Sequence, residues 1–140
     1  MCGFSGFLNF NPNWGDPLTL LQQMGDQLAH RGPDDSGVWF DNNCGVGLSH
    51  RRLSIIDLSA QGHQPMSSTS GRFVITYNGE IYNHQELKKQ LLQAGVIFRG
   101  GSDTEVLLAA IESWGIKQTL KCCIGMFAFS LWDKKEQTLS

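Results

Sequence analysis

The sequence predicts one domain that mixes helices and strands, and three observations carry that reading. A chain of 140 residues is the size of an ordinary single domain and can bury about 70% of its unfolded surface around one core. Short β-branched and aromatic runs bounded by turn residues are interspersed with longer stretches whose apolar residues recur at helical spacing. Two of those helical stretches also fit capping boxes at their starts.

The elements follow in order. Phe4 and Phe7, with Leu8, read as anchors of a short buried strand, and Gly3 and Gly6 as places where backbone packs closely against a bound substrate. Asn9 to Gly15 is a turn-rich link. Asp16-Pro17 then reads as an N-cap followed by proline at the first helical position, and Leu20, Leu21, Met24 and Leu28 predict an amphipathic helix over Pro17 to Ala29. Gly25 is a weak spot in it, worth about 1 kcal/mol against alanine. His30-Arg31-Gly32-Pro33-Asp34 ends the helix.

Gly37 to Phe40 and Val46 to His50 predict a hairpin around Asp41-Asn42-Asn43. Ser59 to Gly71 is a long polar connection, of a length that is often functional. Phe73 to Tyr77 reads as a strand that runs into Asn78-Gly79-Glu80. Asn83-His84-Gln85-Glu86 and Ser102-Asp103-Thr104-Glu105 both fit capping boxes, the first leading to Leu87, Leu91 and Ala94, the second to Leu107, Leu108, Ile111 and Trp114. Gly125 to Asp133 predicts a strand buried on both faces, and Thr138-Leu139-Ser140 starts another.

The net charge is −2, and the basic residues occur as isolated pairs, His30-Arg31 and Arg51-Arg52. Neither nucleic acid nor a membrane surface is an expected partner. Val106 to Ile111, the longest apolar run, is too short to cross a bilayer, and with no secretory signal the expected location is the cytoplasm. Cys44, Cys122 and Cys123 read as small buried hydrophobes. No metal site is expected, and His30, His50, His63 and His84 share no ligand spacing.

Chemistry concentrates at Cys2. Removal of Met1 would leave a cysteine whose own α-amino group, of pKa about 8, lies beside a thiol of about 8.5; nucleophile and base then share one residue. Attack on a carbonyl needs oxyanion donors, which Asn78 and Gly79 offer as a side-chain amide and an accessible backbone N–H. A zwitterionic amino acid needs one fixed cation and one fixed anion: Arg52 suits an α-carboxylate, and Asp103, set in a first helical turn, suits an α-ammonium. Arg31 and Asp34 read as braces for the loop around the nucleophile. Singly, each feature has a plainer reading: an ordinary chain start, a common Asn-Gly turn, surface ion pairs.

Together the motifs are more specific. Met1-Cys2-Gly3, His30 to Asp34, Arg52 to Asp57, Gln64-Pro65-Met66, Asn78 to Asn83, Gly101 to Glu105 and Gly125 to Phe129 occur in this order along the whole chain. The set resembles the glutaminase domain of glutamine-dependent asparagine synthetases, a class II glutamine amidotransferase domain among the N-terminal-nucleophile hydrolases.

The resemblance implies an α+β fold, a four-layer αββα sandwich truncated at its C-terminal end, with residues 1–140 an incomplete amidotransferase domain. It implies Cys2 as nucleophile with its amine as base, and Asn78 and Gly79 as the oxyanion hole. Arg52 would hold the glutamine carboxylate, Asp103 its amino group, and Leu53, Ser54, Ile55, Ile56 and Glu80 would line the pocket. The implied reaction is thioester formation with release of ammonia, then hydrolysis to glutamate, with no cofactor. ATP and Mg²⁺ would serve a C-terminal synthetase domain, absent here, that turns aspartate into asparagine; that domain, glutamine and a homodimeric second copy are the expected partners. Two rivals stand beside this reading: an amidotransferase for another acceptor, such as a surface sugar or peptide, and a non-catalytic glutamine-binding module.

Overall fold

The computed structural model describes residues 2–54 and 60–140. Its first sheet is built from β1 (Gly3–Phe7), β2 (Asp35–Asp41) and β3 (Val46–Arg52), in the order β1-β3-β2. The second contains β4 (Met66–Ser67), β5 (Phe73–Ile81), β6 (Gly125–Asp133) and β7 (Thr138–Leu139), in chain order. Every pairing is antiparallel. Helix α1 (Pro17–Asp26) packs on the first sheet, and α3 (Asp103–Trp114) packs on β5 between α2 (His84–Gln93) and α4 (Ile116–Cys122). The α+β class expected from the sequence is therefore the observed one.

The alternation of β5 explains how the two sheets and the helices share a core. Phe73, Ile75, Tyr77 and Ile81 face the helices and pack with Leu87 and Leu91 of α2 and Val106, Leu107 and Ile111 of α3. Val74, on the opposite face, and its cross-strand partner Trp132 meet Val46 and Leu48 of β3 between the sheets. A strand buried on both faces in this way has to be apolar at consecutive positions.

The hairpin forms as expected, with Asp41 paired to Val46 and the Asp41 carboxylate accepting the N–H groups of Asn43 (3.0 Å) and Cys44 (3.2 Å). The Asp16 cap also forms, through Thr19 N at 2.8 Å.

Other expectations change. Helix α1 stops at Asp26, not Ala29, and continues as turns. Gly25 is a packing requirement: a Cβ there would lie 2.5 Å from Ser49 Oγ of β3. Gly3 and Gly6 meet their own chain, not a ligand. Leu28 and Arg31 pack over Gly3, and a Cβ on Gly6 would lie 2.5 Å from the Gly47 carbonyl. Leu8 is exposed, while Phe7 joins Phe10, Trp14 and Phe40 in an aromatic cluster.

Only Leu131 to Asp133 of β6 are buried together; Met126 and Ala128 are exposed on the face turned toward the first sheet. Asn83 makes no side-chain cap. Its amide instead joins the end of α4 to the start of β6, donating to Cys122 O (2.8 Å) and accepting from Ile124 N (2.9 Å). Cys44, Cys122 and Cys123 are half-buried at core edges. Helix α4 and the two-residue strand β4 had no periodic signal in the sequence.

Candidate active site

The end of β3 and the start of β1 lie side by side, because Gly3 pairs with Arg51. Cys2 is thereby delivered next to Leu53: the thiol donates to Leu53 O at 3.7 Å and accepts the Leu53 N–H at 3.3 Å. Two braces hold this corner. Arg31 Nε donates to Cys2 O at 3.1 Å, and the Asp34 carboxylate accepts Ser54 N–H at 2.7 Å. Arg31 and Asp34 thus occupy the bracing positions expected of them.

Cys2, Arg52, Asn78, Gly79, Glu80 and Asp103 line one cleft of about 200 Å³. Leu53 also lines it, whereas Ser54 stands outside the lining and has its N–H on Asp34. Ile55 and Ile56 lie outside the described residues, as does Met1. Residues that are far apart in sequence are gathered because β5 crosses the chain's N-terminus and α3 begins at the far end of β5.

Asn78 and Gly79 do not terminate the strand; β5 continues through them to Ile81. In an antiparallel ladder each residue's N–H and C=O point to the same side, and successive residues alternate. Tyr77 and Ile81 send their N–H groups away from β6, to Gln64 Oε1 (2.6 Å) and Asp103 Oδ2 (3.0 Å). Gly79 has the same parity, so its N–H points along that same edge, past the end of β4. Its φ of 153° and the closeness of Phe127, whose Cβ would lie 2.5 Å from a Cβ at position 79, leave room for glycine alone. Asn78 shares its face with Glu80, Met126 and Ala128, the open part of the second sheet.

The two charged residues are both buried. Arg52 is 7% exposed and has Gly62 against its guanidinium, where a Cβ would lie 2.5 Å from Arg52 Cζ. Asp103, 5% exposed, accepts the Tyr77 hydroxyl at 2.9 Å and Ile81 N–H at 3.0 Å. Burial, followed by the Asp103 charge, pushes the Tyr77 phenol far up from its ordinary value, so it remains a donor. The Ser102 cap that fixes Asp103 forms through Glu105 N at 3.2 Å, while the Glu105 carboxylate turns to Arg99 N and Gly100 N.

Sequence reasoning assigned no role to Gly62, Gln64 or Tyr77, which also line the cleft. Gln64 stood in a motif but in an aperiodic connection, and Tyr77 read only as part of a strand. His50, His63 and His84 have structural partners: Tyr77 O, Asp35 and Ile81 O. Among the described residues, no group of three or more His, Cys, Asp or Glu is placed to hold a metal ion. Nor is any helix among them long and apolar enough to cross a membrane.

A thiol, a cleft-facing backbone N–H, a buried cation and a buried anion thus meet in one cleft. The chain matches the glutamine amidotransferase domain family over residues 1–140. It belongs to that family, in its class II branch.

Among relatives of this amidotransferase domain, the glutamine-hydrolysing asparagine synthetase 1 of Bacillus subtilis is 43% identical over 99% of the chain. Amidase chry2 of Gibberella zeae is 38% identical over the same share. The chain spans 22% of the length of each. The glutamine phosphoribosylpyrophosphate amidotransferase of B. subtilis, solved with ADP and GMP, superposes with a TM-score of 0.69 over 95% of this chain and 35% of its own, at 22% identity; that likeness concerns the fold.

Proposed function

We propose that this amidotransferase domain hydrolyses glutamine as part of an asparagine synthetase, with Cys2 as the nucleophile. The observation that carries the reading is the convergence of the Cys2 thiol and the cleft-facing Gly79 N–H on a cleft that also holds buried Arg52 and Asp103. With Met1 removed, the free amine takes the thiol proton as sulfur attacks the δ-carbon of the side-chain amide. The oxyanion is received by Gly79 N–H and the Asn78 amide. Collapse returns the proton to the leaving nitrogen, releasing ammonia and leaving a thioester. Water then adds to the thioester, the thiol leaves, and glutamate departs.

Arg52 pairs with the α-carboxylate and Asp103 with the α-ammonium, so that both charges on the α-carbon meet a buried partner of opposite sign. Leu53 and Glu80 line the remainder. The packing of α1, the first sheet, the second sheet and then α3 supports a four-layer αββα sandwich of the N-terminal-nucleophile type. A cytoplasmic location suits a nucleophile that must stay reduced.

Asparagine as the product rests on the 43% identity to the synthetase of B. subtilis. Amidase chry2, at 38%, favours a second reading in which the same chemistry serves another acceptor. In the asparagine reading, ATP and Mg²⁺ would serve the ammonia-using reaction of a C-terminal synthetase domain.

The test is the intact mass of the purified protein before and after treatment with a diazoketone analogue of glutamine, with Cys2→Ala as control. Loss of one methionine and a single Cys2-dependent adduct are expected. Absence of an adduct on a protein with a free Cys2 would overturn the assignment. Asparagine formation from aspartate, ATP and glutamine by the full-length protein separates the two acceptors.

A further inference from the structure

Within the cleft, the oxygens of Asp103 are used unequally. Oδ2 accepts two protein donors, the Tyr77 hydroxyl at 2.9 Å and Ile81 N–H at 3.0 Å. Oδ1 takes no donor among the described residues, on a side chain that lines the cleft. The carboxylate is therefore held by one oxygen and has the other to offer.

Tyr77 is itself held from three sides. Its N–H donates to Gln64 Oε1 at 2.6 Å, its carbonyl accepts from His50 Nε2 at 3.0 Å, and its ring lies 6.1 Å from that of Phe127. The Gln64 amide reaches on to Thr104 Oγ1 at 3.3 Å, on the residue after Asp103. A closed circuit, Tyr77 N–H to Gln64 to Thr104 and Asp103 back to the Tyr77 hydroxyl, ties the first turn of α3 to β5. With 3% of its surface exposed, Tyr77 has no room to change rotamer, and its phenol is a fixed strut.

Resting on the reading of the cleft as a glutamine site, we propose that Tyr77 is a positioning residue that sets specificity for the α-amino group of the substrate. By occupying Oδ2 it prevents Asp103 from rotating, and Oδ1 stays directed at the ammonium. A hydroxyl that only satisfied a buried carboxylate would affect folding and leave substrate selection alone. One that positions the carboxylate governs the difference between ligands with and without the ammonium.

The experiment compares wild type with Tyr77→Phe in the full-length protein. It measures kcat and KM for glutamine hydrolysis, and competitive inhibition by L-glutamate and by glutarate, which lacks the amino group. Tyr77→Phe is expected to raise KM for glutamine by about tenfold with kcat within about twofold, the worth of one hydrogen bond to a charged group. It is expected to weaken L-glutamate about tenfold while glutarate is unchanged.

Should Tyr77→Phe not fold, Thr104→Val, which removes the acceptor for Gln64 and keeps the phenol, decides: the glutamate-to-glutarate preference is expected to fall in the same direction by about threefold. An unchanged preference in a folded Tyr77→Phe, or in Thr104→Val as the substitute, overturns the role of Tyr77. Wild type that hydrolyses no glutamine overturns the underlying reading of the cleft instead.

Discussion

Gly62 lies so close to Arg52 that a methyl group added to it would come within 2.5 Å of the guanidinium carbon. The atoms it would strike are the end of a flexible side chain, not backbone. Gly62→Ala is therefore expected to displace the guanidinium and leave the fold in place. KM for glutamine should rise by about tenfold, the worth of a charge-assisted contact, with a melting temperature close to that of wild type. Steady-state kinetics with a thermal melt check this; an unchanged KM would mean that Arg52 does not grip the substrate.

Gly79 presents the opposite case. A Cβ there would meet the Met126 carbonyl and the Phe127 backbone, which belong to the β5–β6 ladder, at a φ of 153° that other residues avoid. Gly79→Ala should cost about 3 kcal/mol of stability and abolish Cys2 labelling together, since displacing the strand also re-aims the N–H. Chemical denaturation and intact mass read the two effects.

Gly25→Ala tests whether helix propensity or packing governs α1. Propensity favours alanine by about 1 kcal/mol, but the methyl would sit 2.5 Å from Ser49 Oγ, and overpacking of that kind costs about 1–3 kcal/mol. A net loss of stability is expected for Gly25→Ala alone. Adding Ser49→Ala removes the obstructing oxygen, so the double variant should recover the loss, a coupling that a denaturation cycle measures.

His50 makes stability depend on pH. Burial pulls its pKa down from 6.5 to about 4, against the smaller upward pull of its hydrogen bond to Tyr77 O. Because it donates from Nε2 to a carbonyl, protonation would place a second N–H on Nδ1, which has no partner in the buried layer. The unfolded chain binds this proton more readily than the folded one between those two values. The folded state should therefore keep its full advantage above pH 6.5 and lose up to about 3 kcal/mol as pH falls to 4. His50→Gln, which keeps a donor for Tyr77 O, should flatten that part of the stability profile.

Much of the fold was legible because its signals are local. Asp16 and Ser102 start helices by accepting N–H groups three residues on, and the β5 run announces itself by side-chain type. The failures were equally specific. Asn83 has the right spacing for a cap, but its amide is used by Cys122 and Ile124, some forty positions on. Met126 and Ala128 belong to an apolar strand, yet they are exposed because the first sheet covers only the other end of that face.

The sequence by itself determined which groups have the chemistry: a thiol at position 2, a glycine after an asparagine on a strand, and a carboxylate in the first turn of a capped helix. Those are properties of residue type and short-range spacing. Only the tertiary structure decided which of their atoms are available. The Gly79 N–H faces the cleft because β4 ends before reaching it, and Asp103 keeps one oxygen for a ligand because Tyr77 and Ile81 occupy the other. A periodic pattern reports which way a side chain points. It does not report where a neighbouring strand stops or which distant donor takes a lone pair, because those partners come from parts of the chain that meet only when the sheets close.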